Sequence, residues 1–489
     1  MSLTENTKKA RALAAATPHG LLIGGAWRDA RKTFSLQQPA TTTPIADIAD
    51  ASAADGVAAL DAAVAAQKSW ASSSPNTRAT LLQQAFDRLT AQADDFALLM
   101  SLESGKPLSE ARGEVAYAAA FLRFFAGEAL RHHGRTSSSS DGRSRHVVTR
   151  RPVGPCLLIT PWNFPLAMLT RKVAPAIAAG CTVIIKPAEL TPLTTLRFAQ
   201  LLVDVGVPAG VINVLTTADA QTLSSTLLAD GRLRKVSFTG STSVGRTLLA
   251  QGAQTIIRSS MELGGNAPFI VCEDADVDAA VAGAMIAKFR NAGQACTAAN
   301  RLYVHRRLLA RFSEAFIDKA KALVVGDGLD DDTQLGTLIN DRGVDKVTAA
   351  IDIATQHGAR IALGGTRGTG AGHFFAPTVL VDVAVDNPVL QDEIFGPVAP
   401  IVAFDDDDEA IAAANDTIHG LAAYVFTRDL GRAQRYADGV DSGMLGINTG
   451  LVSDAAAPFG GVKQSGLGRE GGSEGIEEYQ SVHYANVVG

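Results

Sequence analysis

Between residues 53 and 130 apolar side chains recur about every 3.6 residues, the period of a helix with one buried face. They are Val57, Leu60, Val64, Ala65 and Trp70, then Leu81, Leu82, Phe86 and Leu89, then Phe96, Leu98, Leu99 and Leu102. Gly105 and Pro107 break the run, so several helices are expected here. Residues 20–50 instead alternate apolar and polar around Gly24-Gly25 and Pro39, which predicts short strands and turns. Ser137 to Asp141, Ser-Ser-Ser-Ser-Asp, is a polar connector, read as a loop or hairpin tip or else a flexible linker.

From Pro152 the rhythm changes. Apolar runs at Cys156–Thr160, Thr182–Ile185, Val211–Leu215 and Val236–Phe238 alternate with helical stretches at Met168–Ala179 and Leu193–Val205. Continuous apolar strands alternating with helices predict a parallel sheet covered on both faces, an α/β architecture of dinucleotide-binding type. Ligands in such sheets bind beyond the carboxyl ends of the strands, where Lys186 and Glu189 stand. Gly240-Ser241-Thr242-Ser243-Val244-Gly245 stands at another such end and opens a helix expected over Arg246–Gln251, whose free N–H groups suit a phosphate. No G-x-G-x-x-G is found there, and the Walker-like spacing from Gly240 has Arg246 where that pattern needs Lys. A second series, with a strand at Leu302–Val304, helices at Leu308–Leu323 and Val344–Gln356 and a strand at Ile361–Leu363, predicts a second α/β domain.

Composition narrows the function classes. The chain has 489 residues, 46% hydrophobic and 19% charged, which is globular and points to about three domains. A net charge of −6 argues against a nucleic-acid surface. Arg143, Arg145, Arg150 and Arg151 cluster only briefly, as on a solvated hairpin. No window reaches the roughly 18 consecutive apolar residues of a membrane span, and residues 1–20 contain no signal-like block, so a cytoplasmic protein is expected. Asp405 to Glu409 reads as a solvated strand end and not as a metal site. Cys156, Cys181, Cys272 and Cys296 match no zinc spacing; the first three lie in apolar runs and read as core.

Cys296 differs. It lies among small and amide side chains in Asn291-Ala292-Gly293-Gln294-Ala295-Cys296-Thr297, with Arg290 and Arg301 nearby to supply the positive potential a thiolate needs. Upstream, Met261-Glu262-Leu263-Gly264-Gly265-Asn266 places a carboxylate where the chain turns into a buried strand. Thr160-Pro161-Trp162-Asn163-Phe164-Pro165 offers an amide between two prolines. Singly, these read as a core thiol, a paired acid and a turn. Together and in this order they resemble the aldehyde dehydrogenase superfamily. The likeness extends to Leu390–Pro397, Gly446–Ser453 and Pro458–Glu470, from about Gly24 to the last strand.

The resemblance implies two Rossmann-like, doubly wound parallel-sheet domains and a small β oligomerisation element. Residues 1–130 and 152–262 would bind the dinucleotide, 263–465 would hold the nucleophile, and 131–151 with 470–489 would join a homodimer or homotetramer. Cys296 would be the nucleophile, Glu262 the base for hydrolytic water, and Asn163 with the Cys296 N–H the oxyanion donors. That Glu is absent from members that acylate coenzyme A, so a free acid is the expected product. NAD, with NADP possible, would meet Trp162, Lys186, Glu189, Gly240, Ser241, Leu263, Glu393 and Phe395. Gly446–Gly450 and Ala457–Glu470 are most similar to the succinate-semialdehyde dehydrogenase family, in which Arg171, Arg290 and Ser453 would hold a substrate carboxylate. The alternatives are glutarate semialdehyde or another aldehyde, a non-catalytic descendant of the fold, and an arginine paired with a protein carboxylate instead. Some members carry a second Cys two positions after the nucleophile; here it is Ala298, so no disulfide switch is expected.

Overall fold

A computed structural model describes residues 2–131 and 133–488. Two sheets dominate it. The first has eight strands, of which Arg258–Glu262, Lys235–Thr239, Cys156–Ile159, Val183–Lys186 and Ile212–Val214 run parallel in that spatial order. Antiparallel strands flank these, Gly466–Leu467 beside Glu262 at one edge and Leu21–Ile23 beside Val214, with Ala26–Arg28 outside it, at the other. The second has seven strands and is parallel from Thr378–Val381 through Val398–Phe404, Ala299–His305, Ala267–Val271 and Ala422–Phe426 to Met444–Ile447. Cys156–Ile159, Val183–Lys186, Lys235–Thr239 and Ala267–Val271 are buried at every position, as continuous apolar runs require in sheets covered on both faces.

The helical period upstream is realised as Ala53–Ala71, Pro75–Ala91, Ala93–Ser104 and Leu108–Ala129, which bury Leu60, Trp70, Leu82, Leu89, Phe96 and Leu102. Gly105 ends the third in the left-handed region at φ 77°, and a Cβ there would lie 2.0 Å from the Thr337 hydroxyl. Ser137–Asp141 is a hairpin tip: Arg135–Ser138 pairs with Ser144–Pro152, which pairs in turn with Gln480–Val488.

Some elements depart from the sequence reading. Residues Leu3–Ala16 form a helix that weak apolar patterning concealed; Ser2 and Glu5 cap it reciprocally. The helix expected from Arg246 starts at Thr242, because Ser241 accepts the Val244 N–H and so caps a first turn of poor helix formers. The acidic run is largely exposed, in keeping with a solvated strand end, and also caps and pairs: Asp406 accepts from Glu409 N, Asp405 bonds Arg306 at 2.6 Å and Asp408 bonds Arg435 at 2.5 Å. Among the described residues no helix is long and apolar enough to cross a membrane.

Candidate active site

Glu262 is the last residue of its strand in the eight-stranded sheet, paired with Thr239 on one side and Gly466 on the other. The chain then crosses through Leu263-Gly264-Gly265 to Ala267, the first residue of a strand in the other sheet. The crossing demands glycine: a Cβ on Gly265 would sit 2.1 Å from the Cys296 carbonyl oxygen. Gly265 N–H also donates to Glu393 at 3.1 Å. One backbone passage therefore brings Glu262, Cys296 and Glu393 together from distant parts of the sequence.

Cys296 and Glu393 border a cavity of about 270 Å³. Cys296, Asn163, Arg171, Arg290 and Ser453 line it, as do Trp162, Gly240, Ser241, Leu263, Glu393 and Phe395. Glu262 is not in the lining but is close enough to act electrostatically on the thiol. Lys186 and Glu189 lie apart, at the end of Val183–Lys186, with a 3.6 Å ion pair between them.

Asn163 follows the strand Cys156–Ile159 and precedes the helix Ala167–Ala179. Its Nδ2 donates to the Gln294 carbonyl at 3.0 Å, which uses one amide hydrogen and leaves the second. Cys296 is half-buried, whereas Cys156, Cys181 and Cys272 are in the core. Burial pushes the Cys296 thiol up to about 12, against the pull of Arg171 and Arg290. The expected contribution of Arg301 is absent, because its guanidinium faces away and donates to the carbonyls of Asn266, Ala413 and Ala414. Burial thus favours the protonated thiol at Cys296.

Glu262 has the properties of a candidate base. It is 2% exposed, and neither carboxylate oxygen has a hydrogen-bond partner. Burial, reinforced by Glu470, holds its carboxyl well above the usual range, and Arg171 and Lys172 oppose this only in part. A buried acid of raised affinity takes a proton from a thiol or water far better than an exposed one.

Arg171 is wholly buried. Its Nε donates to Glu470 at 2.6 Å, so it does pair with a protein carboxylate. Its Nη1 has no partner. Glu470 is shared with Lys172. Arg290 has no ion pair among the described residues and lies over the Phe164 ring at 5.3 Å. Tyr117, which sequence patterning left among the helices, lines the same cavity; its buried hydroxyl has no bonded partner and feels Arg171 and Ser453. Lys346 and Phe459 also line it unforeseen. Only the Gly-rich setting of Pro458–Glu470 marked any of these positions in the sequence.

The remaining lining fits a dinucleotide. The first N–H groups of the helix Thr242–Gly252 point out of its start, beside Gly240 and Ser241. The Thr239 hydroxyl in the cavity wall is buried without a partner. Trp162 and Phe395 meet edge to face with centroids 5.5 Å apart, and Phe395 is held at φ 57°, rare for a bulky side chain. Burial brings the Glu393 carboxyl up to about 7, against its hydrogen bond from Gly265.

The family model described as Aldehyde dehydrogenase family matches residues 27–484. The chain is 54% identical to a succinate-semialdehyde dehydrogenase of Paenarthrobacter nicotinovorans, over 91% of this chain and 99% of that one. It is 47% identical to a glutarate-semialdehyde dehydrogenase of Pseudomonas aeruginosa, over 96% and 97%. The crystal structure of an E. coli NADP-dependent enzyme superimposes with a TM-score of 0.96 at 45% identity, over 97% of this chain and 99% of that one. With the match running almost end to end on the same two-sheet architecture, this chain belongs to the aldehyde dehydrogenase family.

Proposed function

We propose that the protein oxidises succinate semialdehyde to succinate with NAD or NADP, through a thioester on Cys296 that water hydrolyses. The observation that carries the substrate is Arg171 Nη1, buried at the cavity without a partner. A buried guanidinium nitrogen left open is costly unless a ligand completes it, and a carboxylate does so best. Arg290, Ser453 and Tyr117 line the same cavity and would share the substrate carboxylate.

The chemistry then follows from the side chains. Glu262 takes the thiol proton, and Cys296 Sγ bonds to the aldehyde carbon while the carbonyl electron pair moves to oxygen. The Asn163 amide and the Cys296 N–H receive that oxyanion, an effect of about 3 kcal/mol per donor. NAD or NADP, when bound, accepts the hydride, held by Gly240, Ser241, Trp162, Leu263, Glu393 and Phe395, with Lys186 and Glu189 at the adenosine ribose. The chain is left holding an acyl thioester. Glu262, having released the thiol proton to solvent, takes one from water, whose oxygen attacks the acyl carbon and expels the Cys296 thiolate.

Glutarate semialdehyde is the nearest second reading, because the cavity arginines suit either acid and one methylene is worth about 1 kcal/mol. In this account residues 1–130 with 152–262 serve the dinucleotide and 263–465 the nucleophile. The hairpin 131–151 and the last strand serve a cytoplasmic homodimer or homotetramer; Val482, Tyr484, Val487 and Val488 expose apolar surface there. The test is intact-protein mass spectrometry of Glu262→Gln protein mixed with NAD and succinate semialdehyde at high pH, where the Cys296 thiol ionises without Glu262. A succinyl group on Cys296 supports the reading, and absence of an adduct there contradicts it.

A further inference from the structure

The helix Leu108–Ala129 begins just after Gly105-Lys106-Pro107, and its first turns reach both loops of the site. Lys106 Nζ donates to the main-chain oxygen of Asn163 at 2.7 Å and is ion-paired with Glu114, each side chain 1% exposed. The other Glu114 oxygen accepts the N–H groups of Leu166 at 3.0 Å and Ala167 at 3.2 Å, where the helix carrying Arg171 starts. Glu110 accepts the Asn291 N–H at 2.7 Å. Asn291 and Ala292, just before the nucleophile, are left-handed at φ 52° and 53°. The Asn291 amide donates to the same Asn163 oxygen at 3.1 Å.

None of Lys106, Glu110 and Glu114 lines the cavity. The buried charges of Lys106 and Glu114 and the half-buried Glu110 carboxylate are nonetheless spent on main-chain groups of two loops that belong to different sheets. Apolar residues of similar volume would pack at least as well without the desolvation penalty, so packing alone does not account for these groups. Left-handed non-glycine residues persist only where their surroundings over-determine them, and Glu110 with the Asn291 amide supplies that constraint.

We propose that Lys106, Glu110 and Glu114 are positioning residues that fix the Asn163 loop against the Cys296 loop, so that the Asn163 amide faces the carbon bonded to Cys296. This rests on the roles of Asn163 and Cys296 in the proposed function.

The test is the rapid-mixing burst of NADH, with KM for NAD and the rate of Cys296 alkylation by iodoacetamide measured in parallel. The variants are Asn163→Ala, Glu110→Ala, Glu110→Gln and the double variant Lys106→Met with Glu114→Gln, which leaves no buried charge unpaired. Glu110→Ala and the double variant should slow the burst about a hundredfold, the usual cost of misplacing a reacting group by an ångström. KM for NAD and alkylation should stay near wild type. Glu110→Gln, which keeps an acceptor for the Asn291 N–H, should restore the burst. A wild-type burst in Glu110→Ala overturns the proposal, as does a Gln variant as slow as the Ala variant or a parallel rise in KM for NAD. If the double variant fails to fold, the Glu110 pair decides alone. An unchanged burst in Asn163→Ala removes the oxyanion role itself, whereas a slow burst there beside a normal one in Glu110→Ala removes only the positioning.

Discussion

Arg171 donates through Nε to Glu470 at 2.6 Å while its Nη1, equally buried, bonds nothing. One side chain thus braces the fold and keeps a second buried donor unpaired, whereas Arg290 has no ion pair among the described residues. The two arginines should separate on mutation. Arg290→Ala should lower kcat/KM for succinate semialdehyde roughly tenfold to a hundredfold, the worth of a hydrogen bond to a charged group, and barely touch propanal. Arg171→Ala should do the same and also lower Tm, since Glu470 loses a buried partner at a cost of about 3 kcal/mol or more. Equal losses for both aldehydes with Arg290→Ala would assign that residue to the scaffold.

Glu262 has both oxygens free in a buried setting, as the base for hydrolytic water requires. In Glu262→Gln the thiol still reaches its thiolate at high pH but the thioester has no base. Stopped-flow measurement at high pH should show one equivalent of NADH released, followed by turnover reduced about a hundredfold or more. Unchanged steady-state turnover would remove Glu262 from the hydrolytic step.

The pH profile has a definite sign. Cys296, pushed up to about 12 by burial, and Glu262, also raised by burial, are both more protonated in the folded protein than in water. The reactive forms are the deprotonated ones, so kcat/KM should climb from pH 6 to pH 9, by about tenfold per unit where a single proton governs. A profile flat across that range contradicts a protonated resting thiol.

Glu189 stands 3.6 Å from Lys186 at the strand end assigned to the adenosine ribose. A carboxylate there accepts ribose hydroxyls and repels a 2′-phosphate. NAD is expected to be preferred, and Glu189→Ser should shift kcat/KM toward NADP by about tenfold or more, the effect of relieving one close like-charge contact. An unchanged ratio of the two cofactors would place the discrimination elsewhere.

The parts legible in the sequence were those governed by local period and local motif. Cys156–Ile159 and Val183–Lys186 announced themselves as unbroken apolar runs and are buried at each position. Cys296, Glu262 and Asn163 lay in short segments unusual enough to be singled out, and the crossing at Gly265 explains why those segments meet. Other features depended on contacts between residues hundreds of positions apart. Neither the Arg171 pair with Glu470 nor the orphaned Tyr117 hydroxyl has a local signature, since a Tyr on a helix reads as core until the opposing wall is known. Arg301 misled for the same reason: proximity in sequence to Cys296 says nothing of direction, and its strand turns it toward the carbonyls of Ala413 and Ala414. The helix Leu3–Ala16 went unseen because its buried face is made of Asn6, Ala10 and Ala14 instead of large apolar side chains.

The central claim is that a carboxylate-binding cavity feeds Cys296. Its most direct test is kcat/KM for succinate semialdehyde, glutarate semialdehyde and propanal, each with NAD and with NADP. The account predicts a preference of about a hundredfold or more for the carboxylated aldehydes over propanal, as a completed buried guanidinium requires, and their ratio chooses the chain length. Equal efficiency with propanal would leave an aldehyde dehydrogenase but contradict the substrate and the role of both arginines.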